Sequence, residues 1–215
     1  GDYDVSVSPV SISGSDAGPA LSEESDIGSL IIEDRSTDNL QLWRTSESVA
    51  SDVRDAADDD EADAVSAIVN GVENDLVTQT DVVTVGDNSN DVVVHQITAS
   101  GLEGALANTS DDTEDALVGL ADANAIDLTF TEQDPGANAD PNEFELSSTA
   151  SDGNVTADDI DIVFDEANND YYVFVNAGDL DAADGEEYQV EFTVQDPRLT
   201  SADDEASVTS TAAED

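Results

Sequence analysis

The chain carries 53 Asp and Glu residues against four cationic residues, all Arg, for a formal net charge of −49. No other feature restricts its fold so strongly. Such a charge destabilises any compact state by self-repulsion unless ions screen it. The Debye length is about 10 Å at 0.1 M salt and about 3 Å at 1 M. Two kinds of chain satisfy that constraint. One is disordered, which high net charge and low hydrophobicity favour. The other is folded and adapted to molar salt. The apolar residues point to the second, because they recur with the periods of strands and helices. The absence of Lys agrees, since it removes long apolar stems from the surface.

The conflict is sharpest at residues 52–67, DVRDAADDDEADAVSA. The acids there read as the start and wet face of a helix over 58–70, with Val65, Ile68, Val69 and Val72 as its dry face. Acids in a first helical turn oppose the positive end of the helix dipole. Gly71 stands where a C-terminal cap glycine is expected. Residues 101–123 predict one or two further short helices around an acidic loop.

Elsewhere the period is two. Tyr3, Val5 and Val7 share one face, and Pro9 then interrupts the run, as at an edge strand or bulge. IGSLIIED and NLQLW read as short strands. Ile126, Leu128 and Phe130 alternate, as do Ile160, Ile162 and Phe164, and again Tyr188, Val190, Phe192 and Val194. The turn-rich GDNSND between DVVTV and DVVVHQITA predicts a hairpin. EANND turns the chain into YYVFVNA, and ASVTSTA closes as a weak strand. Short strands at this spacing predict a mainly β protein, an Ig-like β-sandwich with short helical insertions. With no Pro/Gly/Ser-rich boundary, residues 1–215 read as a single elaborated domain, with the insertions near 46–77 and 101–123.

Composition excludes several function classes. Phosphate contacts need Lys and Arg, so no nucleic-acid partner is expected, and an anionic membrane surface is disfavoured. No stretch approaches a membrane span. Without Cys there is neither a disulfide nor a thiolate metal site. His95 is the lone histidine, and no G-x-S-x-G elbow accompanies it. It reads as a strand histidine, partly packed or solvated. Carboxylates are too numerous for any pair to be diagnostic, because acid–base work needs a shifted pKa that sequence alone does not reveal. No catalytic residue is assigned, and the chain is not expected to be an enzyme.

Three candidate sites remain. SDGNVTADDIDI (151–162) has the outline of a calcium loop. With Gly153 at position 6, Asp159 takes position 12, but positions 1 and 3 fall on Ser148 and Ala150, which are poor or missing ligands. No metal site or cofactor is assigned; surface oxygens are expected only to bind calcium, sodium or potassium weakly. Asn108 and Asn154 open N-x-[ST] acceptor triplets in expected loops. Trp43, near Arg35 and Arg44, reads as a core anchor at a strand end.

RSTDNLQLW (35–43), VVVHQITASGLEGAL (92–106), LTFTEQDPGANADPNEFELS (128–147), NDYYVFVN (169–176) and EFTVQDPRL (191–199) together resemble a module of haloarchaeal cell-surface, S-layer-like glycoproteins. The resemblance spans most of the chain. It implies a glycosylated, Ig-like, extracellular structural module at the cell surface, stable in molar salt. Its partners would be neighbouring copies or modules of the same assembly and an N-linked glycan, with no membrane insertion within this chain. Such proteins have a signal peptide, a Thr-rich stalk and an anchor, so this chain reads as an excised module or processed subunit. A pilus-like filament built by strand donation is the nearest alternative, with residues 3–12 and 206–212 as candidate edges. An adhesin, a receptor or a viral surface binding module is the other. It calls for loop aromatics, whereas the aromatics here lie mostly in strands.

Overall fold

The computed structural model describes residues 2–7, 26–31, 35–85, 91–110, 112–133, 135, 139–149, 154–176, 185–199 and 205–214. The chain forms two compact units, residues 1–34 and 35–215. In the first, β1 (Asp2–Val7) pairs antiparallel with β2 (Asp26–Ile31). Pro9 lies outside the described residues.

The second unit is a β-sandwich with short helical insertions. Its elements are β3 (Thr37–Ser46), α1 (Glu47–Asp59), α2 (Glu61–Glu73), β4 (Thr78–Gln79), β5 (Val82–Val85), β6 (Asp91–Ala99), α3 (Glu103–Thr109), α4 (Thr113–Asp122), β7 (Ile126–Glu132), β8 (Glu143–Leu146), β9 (Asn154–Val155), a single 3-10 turn at Ala157–Asp159, β10 (Ile160–Asp165), β11 (Asp170–Asn176), β12 (Glu187–Val194) and β13 (Glu205–Glu214). One sheet has the order β10-β11-β6-β3-β4 and the other β5-β13-β12-β7-β8-β9. The core lies between them. It joins Leu40, Ile97, Ile162 and Val173 to Ile126, Leu128, Phe130, Val190 and Phe192. The strand alternations read from β7, β10 and β12 place these residues as expected.

The two sheets differ in how they meet water. Along β12, buried Tyr188, Val190, Phe192 and Val194 alternate with more exposed residues, so the six-stranded sheet has one wet face there. β6 is instead apolar almost without break, with Val92, Val93, Val94 and His95 all buried. Its second face is covered by α1 and α2. Val92, Val94, Val163 and Phe174 pack there against Ala50, Val53, Ala64 and Ile68. The helices α3 and α4 add Leu102, Leu106, Leu117 and Leu120 to the main core, and α4 packs against β7, β8 and β10.

Three local expectations change. β5 and β6 do not form a hairpin: β5 runs parallel to β13 in one sheet, while β6 lies between β11 and β3 in the other. Both edges of β6 are taken, so β5 meets it only across the core, through Leu42, Val83 and Val93. Gly86 to Asn90 of the expected turn lie outside the described residues.

The helix expected over 58–70 is two helices. Asp60 breaks them with extended backbone (φ −163°, ψ 128°), and its carboxylate caps α2 by accepting from the Ala62 N–H at 2.9 Å.

Finally, Gly71 is not a cap. It lies inside α2, buried, where a Cβ would sit 2.7 Å from Val77 Cγ2. The chain leaves α2 instead through Asp75 at φ 57°, and the Leu76 and Val77 N–H groups return to the Gly71 carbonyl. This close approach fixes the roll of α2. Ala64, Ile68 and Gly71 face inward, and Val69 and Val72 face out.

Candidate assembly surface

His95 lies on the inner face of β6, 1% exposed, with its ring edge-on to Phe130 at 5.1 Å. Burial pushes its pKa down to about 4, against a weaker pull upward from a hydrogen bond with the Val173 backbone. The imidazole is therefore a neutral core group out of reach of a solvent-borne substrate. It is packed, not solvated.

Trp43 is half-buried against the apolar layer beneath α1 and α2, and its indole N–H donates to Gln96 Oε1 at 2.9 Å. Gln96 passes the network on, donating to Asp170 Oδ2 at 2.7 Å. The neighbouring cations turn elsewhere. Arg44 approaches Asp91 at 3.8 Å, and Arg35 donates to the Leu199 carbonyl at 2.6 Å. Trp43 is thus a half-buried anchor of the layer under the helices, set within β3 and not at a strand end as expected.

In the calcium-like segment, residues 150–153 lie outside the described residues. Asp159, the position-12 residue, is engaged in capping: it accepts from the Thr156 N–H at 2.9 Å and hydroxyl at 2.7 Å. Among the described residues no group of three or more His, Asp or Glu is placed to hold a metal ion. None of the described helices is long and apolar enough to cross a membrane.

The two acceptor asparagines are not in loops. Asn108 is exposed in the last turn of α3, because Leu106 draws that turn onto the core. Asn154 is half-buried in β9, and its amide nitrogen donates to the Thr149 carbonyl at 2.7 Å. A glycan would attach at that nitrogen, so Asn154 must give up this bond and Asn108 need not.

Carboxylates crowd several places. On the wet face of the six-stranded sheet, burial and then Glu143 raise the pKa of Asp127, while a hydrogen bond with Glu143 and then burial raise that of Glu145. Across the β10–β11 turn, buried Asp165 and Asp170 stand directly opposite. Each is satisfied locally, Asp165 by the Ala167 N–H and Asn168, and Asp170 by Gln96 and Thr98. A cavity of about 220 Å³ is lined by Glu47, Asp158, Asp159 and Asp161 around Arg54, which pairs with Glu47 and, at 2.9 Å, with Asp161.

The strand edges determine where another strand could add. Residues 206–211 pair with β12, and of the candidate edge only Thr211 and Ala212 also pair with β5, so the other side of 206–210 has no strand partner among the described residues. β10 is an edge, but a closed one. Ile162 and Phe164 fall between the hydrogen-bonded pairs of the β10–β11 ladder, so their N–H groups point outward. Ile162 donates to Glu114 Oε1 and Phe164 to Glu61 Oε1, each at 2.7 Å. Side chains at the starts of α4 and α2 thus take the places of a neighbouring strand. Burial raises the pKa of Glu114, while the Ile162 N–H pulls it down. Truncating half-buried Glu114 to Ala is expected to cost about 1–3 kcal/mol, and truncating exposed Glu61 less, because water can take its place. Amide hydrogen exchange in molar salt should quicken at Ile162 and Phe164 respectively; unchanged rates would contradict the capping role. In the first unit, among the described residues, β1 and β2 pair only with each other, so residues 3–7 have one edge without a described strand partner in that unit.

The second unit is a mainly β sandwich with an acid-rich surface and one shielded sheet edge, β10. No protein-family model matches the chain. It is similar to Cell surface glycoprotein 2 of Haloarcula hispanica, 29% identical over 206 residues, covering 85% of this chain and 20% of that protein. Cell surface glycoprotein 1 of the same organism is 29% identical over 179 residues, with 75% and 17% covered. The cell surface glycoprotein of Haloferax gibbonsii is 28% identical over 183 residues, with 85% and 16% covered. The chain thus spans a fifth or less of these relatives. The resemblance read from the sequence is borne out: over most of its length the chain is similar to haloarchaeal cell surface glycoproteins, and a place outside the cell at the surface agrees with them.

Proposed function

We propose that the chain is a non-catalytic structural module of an S-layer-like surface assembly that works in molar salt. The observation that most supports this is the similarity to three haloarchaeal cell surface glycoproteins over most of the chain. The structure is compatible with that work. Its sole histidine is a core residue, its described acids other than Asp165 and Asp170 reach solvent, and β10 is capped against unwanted strand addition at Ile162 and Phe164. Neighbouring modules are its partners in this reading, and calcium, sodium or potassium ions held weakly at carboxylates screen the contacts. The N-linked glycan belongs on Asn108, the exposed acceptor. A filament built by strand donation has less support, because the relatives are named cell surface glycoproteins.

Protease shaving of intact cells in molar salt, followed by peptide mass spectrometry, tests the reading. Peptides of this chain should be released without lysis and in the abundance of an array-forming protein. The peptide containing Asn108 should carry a glycan mass and that containing Asn154 should not. Release only after lysis, or at trace abundance, would overturn the proposal.

A further inference from the structure

α1 and α2 cover the outer face of the five-stranded sheet with a small core of their own. Ala50 and Val53 of α1 and Ala64 and Ile68 of α2 meet Val92, Val94, Val163 and Phe174 there, apart from the larger core between the sheets. The helices' partly buried additions are Ala56, Ala57, Val65 and Ala67. Most of these side chains are alanines, so the layer buries little apolar surface for its length. α1 and α2 pack more on each other than on any one strand of the sheet. They form one body, which runs from Ser46, whose backbone is extended, to left-handed Asp75.

Electrostatics weaken its hold. Residues 47–75 contain ten Asp or Glu and one cation, Arg54. α1 ends on Asp59 with no basic residue in its last turn, which sets an acid at the negative end of its dipole. Asp158, Asp159 and Asp161, outside the layer, line one cavity with its Glu47 and Arg54. The layer's side chains bond β10 through Arg54, which donates to Asp161 at 2.9 Å, and through Glu61, which accepts from the Phe164 N–H at 2.7 Å. A partly exposed ion pair contributes little.

Few buried apolar contacts and weak polar ties mark a unit that opens by itself. We infer that α1 and α2 form a lid that lifts as one body while both sheets stay folded. Lifting uncovers Val92, Val94, Val163 and Phe174 and, as Glu61 departs, frees the Phe164 N–H of the β10 edge. Ile162 stays capped, because Glu114 belongs to α4. The lid therefore hides an apolar face and part of a strand edge together. Ionic strength sets how often they appear, since screening keeps the layer's acids from repelling those beneath. The inference stands independently of the surface role.

The chain has no cysteine, so single buried thiols report the opening. Val94, under the lid, and Val190, between the sheets, are each 1% exposed. In about 3 M KCl a thiol reagent should label Val94→Cys at least about tenfold faster than Val190→Cys. At about 1.5 M KCl labelling of Val94→Cys should quicken about threefold, with that of Val190→Cys and the circular dichroism unchanged. Adding Ile68→Ala should quicken Val94→Cys labelling at least about tenfold more than that of Val190→Cys. In Ile68→Ala alone, amide exchange should quicken in α1 and α2 together. Equal labelling of the two thiols would overturn the inference, as would an equal response of both to Ile68→Ala. So would faster exchange in α2 with α1 unchanged, or labelling of Val94→Cys that does not depend on salt.

Discussion

Transfer from about 3 M KCl to 20 mM salt should unfold residues 35–215 cooperatively, with loss of structure below about 0.5–1 M. At 1 M the screening length is about 3 Å, shorter than the spacing of most surface carboxylates; near 0.01 M it is about 30 Å, which couples them across the whole molecule. The strain should concentrate where carboxylates already crowd: the Asp127, Glu143 and Glu145 group and the opposed Asp165 and Asp170. Four arginines leave little internal compensation. Circular dichroism during dialysis measures the effect. Because the cause is screening, a large-cation chloride at equal ionic strength should restore the fold. Unchanged spectra and melting temperature at 20 mM salt would contradict a fold that depends on screening.

His95→Leu should remove a pH dependence that the wild-type chain possesses. The folded-state pKa is about 4, below the ordinary 6.5, because the ring is buried. Between those values the unfolded chain binds a proton that the folded chain does not, so stability falls as pH falls through this window. The contribution is complete above about pH 6.5. It reaches a loss of about 3 kcal/mol as pH approaches 4. Carboxylate protonation in the same range relieves repulsion and acts in the opposite direction, but it is common to both proteins. The measured quantity is therefore the stability difference between wild type and His95→Leu in molar salt at pH 7, 5.5 and 4.5. It should shift steadily in favour of the leucine variant. A difference independent of pH would place the imidazole in contact with solvent.

Much of the architecture is legible in local pattern. β7 and β12 alternate because one face of their sheet is wet, and Ile126, Leu128, Phe130, Val190 and Phe192 are buried as their spacing implies. The unbroken run Val92–His95 in β6 carried a further signal: two-sided burial, which required a layer over the outer face, and α1 and α2 supply it. Pairing was less legible. GDNSND is sound turn chemistry, yet β5 and β6 join different sheets, because strand partners are set by the whole core and not by the connecting residues. α1 was hidden in acids, its inward residues being only Ala50 and Val53 with smaller help from Ala56 and Ala57. The roll of α2 escaped for a related reason. Hydrophobicity favours Val69 and Val72 as the inward face, whereas close packing selects Ala64 and Gly71. The capping glutamates could not be read at all, since Glu61 and Glu114 differ from the other acids only in what the fold brings beside them. Location was legible through resemblance, and the acceptor at Asn108 through its triplet, though not its place on a helix.

The proposed structural role in an ordered surface layer can be checked by cryo-electron tomography of envelopes from cells producing the protein, with a gold label attached to this module. Label should lie on the outer face at the repeat distance of a two-dimensional lattice. Label that is irregular, confined to filaments or inside the membrane boundary would contradict it.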